Sequence, residues 1–209
     1  MSLFLLIVAM AVPSYLLGGI NGAIITSRYI YRKDIRNMGS GNPGLTNFCR
    51  VFGKSGVMLV LVIDVIKTVC PVLIAGWMFS RYFDMALLGR HLSGFFVMLG
   101  HCYPPYYNFK GGKGVMAAGS LLFLIDWRIG LIMWGLFGAI TLATRFVSLG
   151  SITAAITYPA VLVLLGIGEG KELFVAIMCA VLLILRHSQN IIRLANRKEP
   201  KIILRRGSE

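Results

Sequence analysis

Seven long apolar segments, separated by short polar loops, make up most of this chain. They cover residues 3–27, 56–79, 85–101, 115–126, 129–144, 146–167 and 172–186. A helix crosses a hydrocarbon layer with about 20 apolar residues, and every backbone polar group inside that layer has to bond within the protein. The pattern therefore predicts an all-α integral membrane fold of seven transmembrane helices. We expect one membrane-embedded domain over residues 1–209, in which the short fourth and fifth segments form a tight hairpin.

Composition supports lipid as the solvent and argues against the main soluble classes. Of the 209 residues, 57% are hydrophobic, above the roughly 45–50% of soluble domains. A net charge of +13 would favour nucleic acid in a soluble protein, but here the basic residues are spread among short loops between apolar segments. We therefore expect anionic membrane lipid and phosphorylated substrates as partners, and no nucleic acid.

The loops carry their Lys and Arg residues unequally. Sixteen of the 21 lie in alternate loops, in residues 28–55 and 102–114, at Arg145 and in the tail from Arg186 onward. The four on the opposite side are Arg81, Arg90, Arg128 and Lys171. By the positive-inside rule, this asymmetry places the N-terminus outside and the C-terminus in the cytoplasm. An odd number of spans requires the same arrangement.

A glycine-rich loop follows the first apolar segment. Residues 39–47 read Gly-Ser-Gly-Asn-Pro-Gly-Leu-Thr-Asn, and an arginine stands three positions later. Glycine allows a positive φ and a close backbone approach, so such a run can turn several N–H groups toward one anion. Arginine adds a planar phosphate donor. We predict a phosphate-binding loop, against the alternative of an ordinary turn between spans. Its candidate binding residues are Ser40, Gly41, Asn42, Thr46, Asn47 and Arg50.

A second glycine-rich loop opens the segment that begins near residue 115. Residues 109–114 read Phe-Lys-Gly-Gly-Lys-Gly. The N-terminus of a helix favours an anion, and the two lysines add positive charge, so this loop also predicts a phosphate site. It is not a nucleotide-binding P-loop, because Lys113 is followed by Gly114 in place of Ser or Thr. The alternative is a basic loop that only obeys the positive-inside rule. The candidate residues are Lys110, Gly111, Gly112, Lys113 and Gly114.

Two further polar clusters lie at the ends of apolar segments. Arg145 precedes Ser148 and Ser151, which are three residues apart and share a helical face. His187 and Asn190 are also three residues apart, where the last segment ends. Serines often bond to their own helix backbone in membranes, and a single histidine is often structural, so each cluster alone is a weak signal. All four motifs lie on the same predicted face, and this agreement favours one site.

Asp64 and Lys67 lie inside the second apolar segment. Charges within a membrane are costly and usually pair or face a polar cavity. The two residues are close to one helical turn apart, so we expect an ion pair within the helix; support of the site is the alternative.

The cysteines lack the spacing of a metal or redox site, so we expect free thiols. They are Cys49, Cys70, Cys102 and Cys179. Cys102 follows a histidine and is a conceivable nucleophile, but adjacency in sequence does not establish geometry. We also predict no metal, because Asp, Glu and His do not cluster with ligand spacing on the cytoplasmic side.

Together the motifs resemble those of one family, the bacterial acyl-phosphate:glycerol-3-phosphate acyltransferases known as PlsY. The resemblance covers nearly the whole chain and includes the run Tyr15-Leu16-Leu17-Gly18, the run Asp34-Ile35-Arg36, Asp64 with Lys67, and the tail from Arg193 to Ile202. The chain departs from the family pattern at Asn21, Pro43, Leu45 and Thr68. Of these departures, Pro43 removes one N–H donor from the first loop.

The resemblance implies a seven-span enzyme of the bacterial cell inner membrane with its active site facing the cytoplasm. It would transfer a fatty acyl group from acyl-phosphate to the 1-hydroxyl of sn-glycerol 3-phosphate, without a cofactor. The products would be 1-acyl-glycerol 3-phosphate (lysophosphatidic acid) and phosphate, in the first step of phospholipid biosynthesis. The oligomeric state stays open, and a monomer is compatible with the sequence.

Two phosphate-bearing substrates need two anion pockets and an opening toward lipid. We expect one phosphate near Lys113 and its glycines, and the other near Arg50, Ser40 and Arg145; which substrate takes which pocket stays open. Asn190 with Ser40 is expected to orient the attacking hydroxyl. His187 is expected to bind phosphate or act as base, and a substrate phosphate is the alternative base. The expected catalytic residues are Ser40, Lys113, His187 and Asn190.

Two other classes are less well supported. A small transporter or channel for an organic anion would place charged or helix-breaking residues near mid-membrane in several spans, often in two related halves. A soluble-type glycerolipid acyltransferase would carry a His-x-x-x-x-Asp pair. The residues five positions after the three histidines are Phe96, Tyr106 and Ile192, so that pair is absent from the sequence.

Overall fold

The protein is built of helices. The structure, a computed structural model, describes residues 2–202 and contains ten α-helices there. They are α1 (Leu3–Gly18), α2 (Gly22–Tyr29), α3 (Leu45–Phe52), α4 (Val57–Phe83), α5 (Ala86–Cys102), α6 (Val115–Ile125), α7 (Trp127–Thr144), α8 (Val147–Leu164), α9 (Lys171–Arg186) and α10 (Ser188–Ala195). Short 3₁₀ turns lie at Ile35–Asn37 and Pro105–Tyr107. Arg205 and Arg206, counted above in the basic tail, lie outside the described residues, as does the end of the predicted 1–209 domain.

Helices form in each of the seven apolar segments. Four stretches are long and apolar enough to cross a membrane: α1 with α2, α4, α7 and α8. The bent pair α9 and α10 raises the number to five if it counts as one span. The 17 residues of α5 and the 11 of α6 are shorter; short helices are viable in a membrane where their ends are buried in protein. The seven-span count and the orientation of the termini stay predictions.

Only Asp126 separates α6 from α7, and the two helices pack together as the predicted hairpin. The Asp126 side chain accepts a hydrogen bond from the Arg128 amide at 2.8 Å and so caps α7. The hairpin lies beside a central helix, α5, which packs against α1, α4, α6 and α9.

Glycines let α1 and α5 approach closely. A Cβ at Gly18 would overlap the backbone of Val97, and one at Gly100 would overlap the carbonyl of Tyr15. Such small residues are the usual means by which membrane helices bring their backbones together. The contact holds the C-terminal end of α5, and with it His101, against the end of α1.

Two helix breaks shape the polar end of the bundle. Between α1 and α2, the Asn21 side chain accepts from the Ile24 amide at 2.9 Å and donates to the Pro43 carbonyl at 3.0 Å. Asn21, a departure from the family pattern, therefore caps α2 and ties it to the first glycine-rich loop. Between α9 and α10 the chain bends by 58° at His187.

The tail beyond α10 folds back over this end. The Lys198 amide donates to the Arg193 carbonyl at 2.7 Å, and the Ile202 amide donates to the Arg145 carbonyl at 2.9 Å. This return places Glu199 next to side chains of α8 and α10.

Substituting Gly100→Ala should lower the thermal unfolding midpoint by several degrees. Overpacking costs about 1–3 kcal/mol, and about 1 kcal/mol shifts Tm by about 2–4 °C for a chain of this size. Gly138→Ala is the matched control, because a Cβ there meets nothing within 4 Å. A thiol-reactive dye that reports exposure of buried Cys102 and Cys179 would follow the transition. Equal midpoints for both variants would contradict the close-packing account.

Candidate active site

A polar cavity lies where the four sequence motifs meet. It encloses about 1460 Å³, including space open to solvent, between the first glycine-rich loop, the Lys113 loop, the start of α8 and the bend between α9 and α10. Eleven of the sixteen predicted site residues line it. They are Ser40, Asn42, Thr46, Asn47, Arg50, Lys113, Gly114, Ser148, Ser151, His187 and Asn190.

Five predicted binding residues lie outside this wall: Gly41, Lys110, Gly111, Gly112 and Arg145. The carbonyls of Gly111 and Gly112 accept from the Arg186 guanidinium at 3.0 and 3.1 Å, and the Gly112 amide donates to the His101 carbonyl at 3.0 Å. These two glycines therefore shape the loop from behind. Lys110 is exposed, and Arg145 is an exposed residue with φ 64° that ends α7. Their predicted contact with substrate stays a prediction.

Asn47 holds the first glycine-rich loop in place. Its buried side chain accepts from the Ser40 amide at 2.9 Å and donates to the Met38 carbonyl at 2.9 Å. Gly39 and Gly41 have φ values of 59° and 72°, which L-residues with side chains rarely adopt. The loop thus presents Ser40 to the cavity while the amide of Asn47 acts as its internal brace.

Lys113 is the partly buried cation of the site. Burial, with smaller repulsion from Arg193, Arg186 and Arg50, lowers the pKa of its ammonium to about 8, although Glu199 acts in the opposite direction. Several cations held together in a partly buried wall form a strong anion site, since the local dielectric is below that of water. A phosphate placed here would relieve their mutual repulsion.

His187 and Asn190 supply hydrogen-bond acceptors at the bend. The His187 Nδ1–H donates to the Leu183 carbonyl at 2.8 Å, because a carbonyl can only accept. The neutral ring therefore has a lone pair on Nε2. The Asn190 amide group donates through Nδ2 to the Glu199 carboxylate at 2.6 Å, which leaves Oδ1 without a hydrogen-bond partner among residues 2–202. His187 Nε2 can accept a proton or a hydrogen bond from a substrate hydroxyl, and Asn190 Oδ1 can accept a hydrogen bond.

Glu199 fixes this arrangement. Its carboxylate accepts from the Ser148 hydroxyl at 2.6 Å, from Asn190, and from the Arg193 Nε at 2.8 Å. Burial alone would raise the pKa of the Glu199 carboxyl, but these three hydrogen bonds outweigh it and hold the pKa below its usual value. Sequence reasoning noted Glu199 only as part of the tail, since its contact with Ser148 spans 51 residues.

The predicted ion pair between Asp64 and Lys67 is confirmed. The carboxylate and ammonium are 2.8 Å apart, and both side chains are 2% exposed. The same ammonium lies 2.6 Å from the Ile20 carbonyl and 2.7 Å from His101 Nδ1, and the Gly22 amide donates to Asp64 at 3.2 Å. Asp64 and His101 also line the polar cavity. The pair thus joins the break between α1 and α2 to the cavity wall.

An apolar cavity of about 600 Å³ lies next to the polar one, among α5, α6, α7, α8 and α9. Its lining includes Met98, Leu122 and Leu183. The residues common to both cavities are Val115, Trp134, Phe137 and Ser151. A ligand with an anionic head and an apolar tail can therefore occupy both at once.

The expectation of free thiols is confirmed for all four cysteines. Cys102 is fully buried and is not part of the polar cavity wall. This position gives no support to its use as a nucleophile.

The fold and the two cavities together define an integral membrane protein with a polar site suited to an amphiphilic anion. Comparison with known proteins then identifies the family. Residues 8–197 match the family described as "Glycerol-3-phosphate acyltransferase". The chain belongs to this family.

Curated relatives and solved structures agree over almost the full length. The glycerol-3-phosphate acyltransferase of Staphylococcus saprophyticus is 36% identical over 205 residues, covering 95% of this chain and 98% of the relative. The glycerol-3-phosphate acyltransferase of Syntrophotalea carbinolica is 39% identical, and the match covers 91% of this chain and 94% of the relative. The crystal structure of PlsY, an integral membrane glycerol 3-phosphate acyltransferase, in its glycerol 3-phosphate form has a TM-score of 0.85 at 35% identity and covers 94% of this chain and 96% of that one. The lysophosphatidic acid form of the same protein has a TM-score of 0.82 at 34% sequence identity.

The affinity of this cavity for glycerol 3-phosphate should fall as pH rises through about 8. The depressed pKa of Lys113 means that its ammonium loses its proton there, whereas a phosphate monoester is already dianionic above its second pKa of about 6. The loss should approach about tenfold per pH unit. Calorimetric titration without an acyl donor would measure it.

Lys113→Arg is the control for this pH dependence, because a guanidinium keeps its charge throughout the range. Its affinity should vary little between pH 7 and 10. The same decline in both proteins would show that another group controls the pH dependence.

Proposed function

We propose that this protein transfers a fatty acyl group from acyl-phosphate to the 1-hydroxyl of sn-glycerol 3-phosphate. One observation carries the proposal. The wall of the polar cavity combines cationic donors, at Lys113 and Arg50, with bare acceptors, at His187 Nε2 and Asn190 Oδ1. That combination suits a molecule that carries both a phosphate and a hydroxyl.

Glycerol 3-phosphate fits this arrangement as the acceptor substrate. Its phosphate would lie among the cations around Lys113, and its 1-hydroxyl would donate to Asn190 Oδ1 or His187 Nε2. Family membership supports the assignment, since a 35% identical relative has a glycerol 3-phosphate form.

The acyl donor would use both cavities. Its chain would lie in the apolar cavity, and its acyl carbon would reach the junction near Ser151, Trp134 and Phe137. Arg50 and Ser40 would receive its phosphate, on the opposite side from the acyl chain. An acyl-phosphate is already an activated mixed anhydride, so the site has to position and neutralise charge more than it has to form a covalent intermediate.

In the transfer step, the glycerol hydroxyl oxygen forms a bond to the acyl carbon, and the bond from that carbon to the phosphate oxygen breaks. The hydroxyl proton passes to His187 Nε2 or to a substrate phosphate, and inorganic phosphate leaves. The Nδ1 bond of His187 to Leu183 fixes the ring with its lone pair available for this role. Arg50, with Ser40, neutralises the charge that the leaving phosphate gains.

The proposal includes a topology. One membrane-embedded acyltransferase domain would span residues 1–209, with seven transmembrane helices, the N-terminus outside and the site facing the cytoplasm of a bacterial inner membrane. The asymmetry of sixteen against four basic residues supports this orientation. Lysophosphatidic acid would then enter phospholipid biosynthesis within the same membrane.

Purified protein in detergent or lipid should form labelled lysophosphatidic acid from glycerol 3-phosphate and palmitoyl-phosphate, and none from palmitoyl-CoA in a parallel reaction. Lys113→Ala and Asn190→Ala should each lower kcat/KM by about a hundredfold or more, because they remove charge neutralisation and hydroxyl orientation.

Two surface substitutions serve as matched controls. Lys54→Ala removes an exposed cation, and Asn196→Ala removes an exposed amide that bonds only to its own helix, at the Ile192 carbonyl. Both should keep wild-type activity. Absence of product from either donor, with intact and monodisperse protein, would contradict the enzyme and favour the transport alternative. Product formed from palmitoyl-CoA would contradict the proposal that acyl-phosphate is the acyl donor.

A further inference from the structure

We infer that Lys67 sets the tautomer of His101 so that the His101 Nε2–H serves as a phosphate donor in the polar cavity. The inference rests on the proposed function for the identity of the phosphate ligand, but its tautomer step does not. Neither residue is among the predicted site residues, and both are buried.

The Lys67 ammonium uses all of its hydrogen-bond donors. A lysine ammonium has three N–H groups and no acceptor. All three are used here, toward the Ile20 carbonyl, the Asp64 carboxylate and His101 Nδ1, at 2.6, 2.8 and 2.7 Å. His101 Nδ1 therefore has to accept, and a neutral imidazole that accepts at Nδ1 carries its proton on Nε2.

The Nε2 atom of His101 lies at the wall of the polar cavity, next to Gly112. His101 lines the polar cavity and is 3% exposed. A Cβ at Gly112 would clash with its Nε2, so this atom lies against the backbone immediately before Lys113. The N–H therefore lies beside the part of the cavity wall to which Lys113 belongs. Gly112 is needed because only a residue without a side chain leaves that approach open.

The other histidines have the opposite tautomer. His91 Nδ1 donates to the Leu87 carbonyl at 2.9 Å, and its Nε2 accepts from the Tyr158 hydroxyl at 2.8 Å. His187 Nδ1 donates to the Leu183 carbonyl. His101 is thus the single Nε2–H ring among the three histidines of the sequence, and the difference traces to the ammonium of Lys67. His101 therefore supplies a histidine donor to the polar cavity, and His187 supplies a histidine acceptor.

Nitrogen-15 NMR of histidine-labelled protein in detergent tests the tautomer without any substrate. His101 should show a protonated Nε2 and a bare Nδ1, and the other two rings should show the reverse. Single His91→Leu and His101→Gln variants assign the signals. A protonated Nδ1 on His101 would overturn the inference whatever the protein catalyses.

Binding tests the donor role. Glycerol 3-phosphate and inorganic phosphate should each shift the His101 Nε2–H signal, and glycerol, which lacks the phosphate, should not. His101→Leu should weaken binding of glycerol 3-phosphate about tenfold to hundredfold, as expected for a hydrogen bond to a charged group. His101→Gln, which keeps a side-chain N–H, should recover most of the affinity. His91→Leu, a buried histidine on the same helix, is the control and should bind normally.

Lys67 is tested with its partner, because removal of one member of a buried ion pair is strongly destabilising. The Asp64→Asn/Lys67→Met double variant should lose the Nε2–H preference of His101 and bind phosphate more weakly. An unchanged tautomer would overturn the positioning role of Lys67. An Nε2–H signal that does not shift on addition of glycerol 3-phosphate or inorganic phosphate would overturn the donor role of His101. A response to inorganic phosphate with no binding of glycerol 3-phosphate would uphold the inference and contradict the proposed substrate.

Discussion

The ammonium of Lys67 joins three parts of the chain that are far apart in sequence. It bonds to the carbonyl exposed at the break between α1 and α2, to a carboxylate one turn away on α4, and to the end of α5. These side chains are buried, so each of the polar groups would be costly without its partner. Because the contacts satisfy one another, the helix break can lie inside the bundle. The first glycine-rich loop is then positioned by Asn21, which stands at that break.

Much of this fold follows from hydrophobic patterning. The apolar segments, the hairpin around Asp126 and the ion pair on α4 could all be predicted, because each depends on residues that are close in sequence. The four motifs could also be assigned to one face from loop charge. The contacts that were not predicted depend on the tail beyond α10, which folds back over the polar end of the bundle. Glu199 reaches Ser148 across 51 residues, and no local periodicity signals such a contact.

The glycines of the second loop show a different limit. Their sequence suggested N–H groups aimed at phosphate, but backbone direction depends on neighbouring groups. The Arg186 guanidinium donates hydrogen bonds to the carbonyls of Gly111 and Gly112, and the Gly112 amide donates to the His101 carbonyl. The glycines allow a tight backbone approach, while the partner of each group is decided by α5 and α9. Composition of a loop indicates which geometry is possible; packing decides which groups face the ligand.

The shared wall between the polar and apolar cavities has a consequence for traffic. Val115, Trp134 and Phe137 border both spaces, so in the proposed reaction a water-soluble substrate and a membrane-soluble one would meet at this wall from different phases. The amphiphilic product would then withdraw toward the bilayer, and the small anion would diffuse into water. The partition of the two products between lipid and water would oppose their recombination.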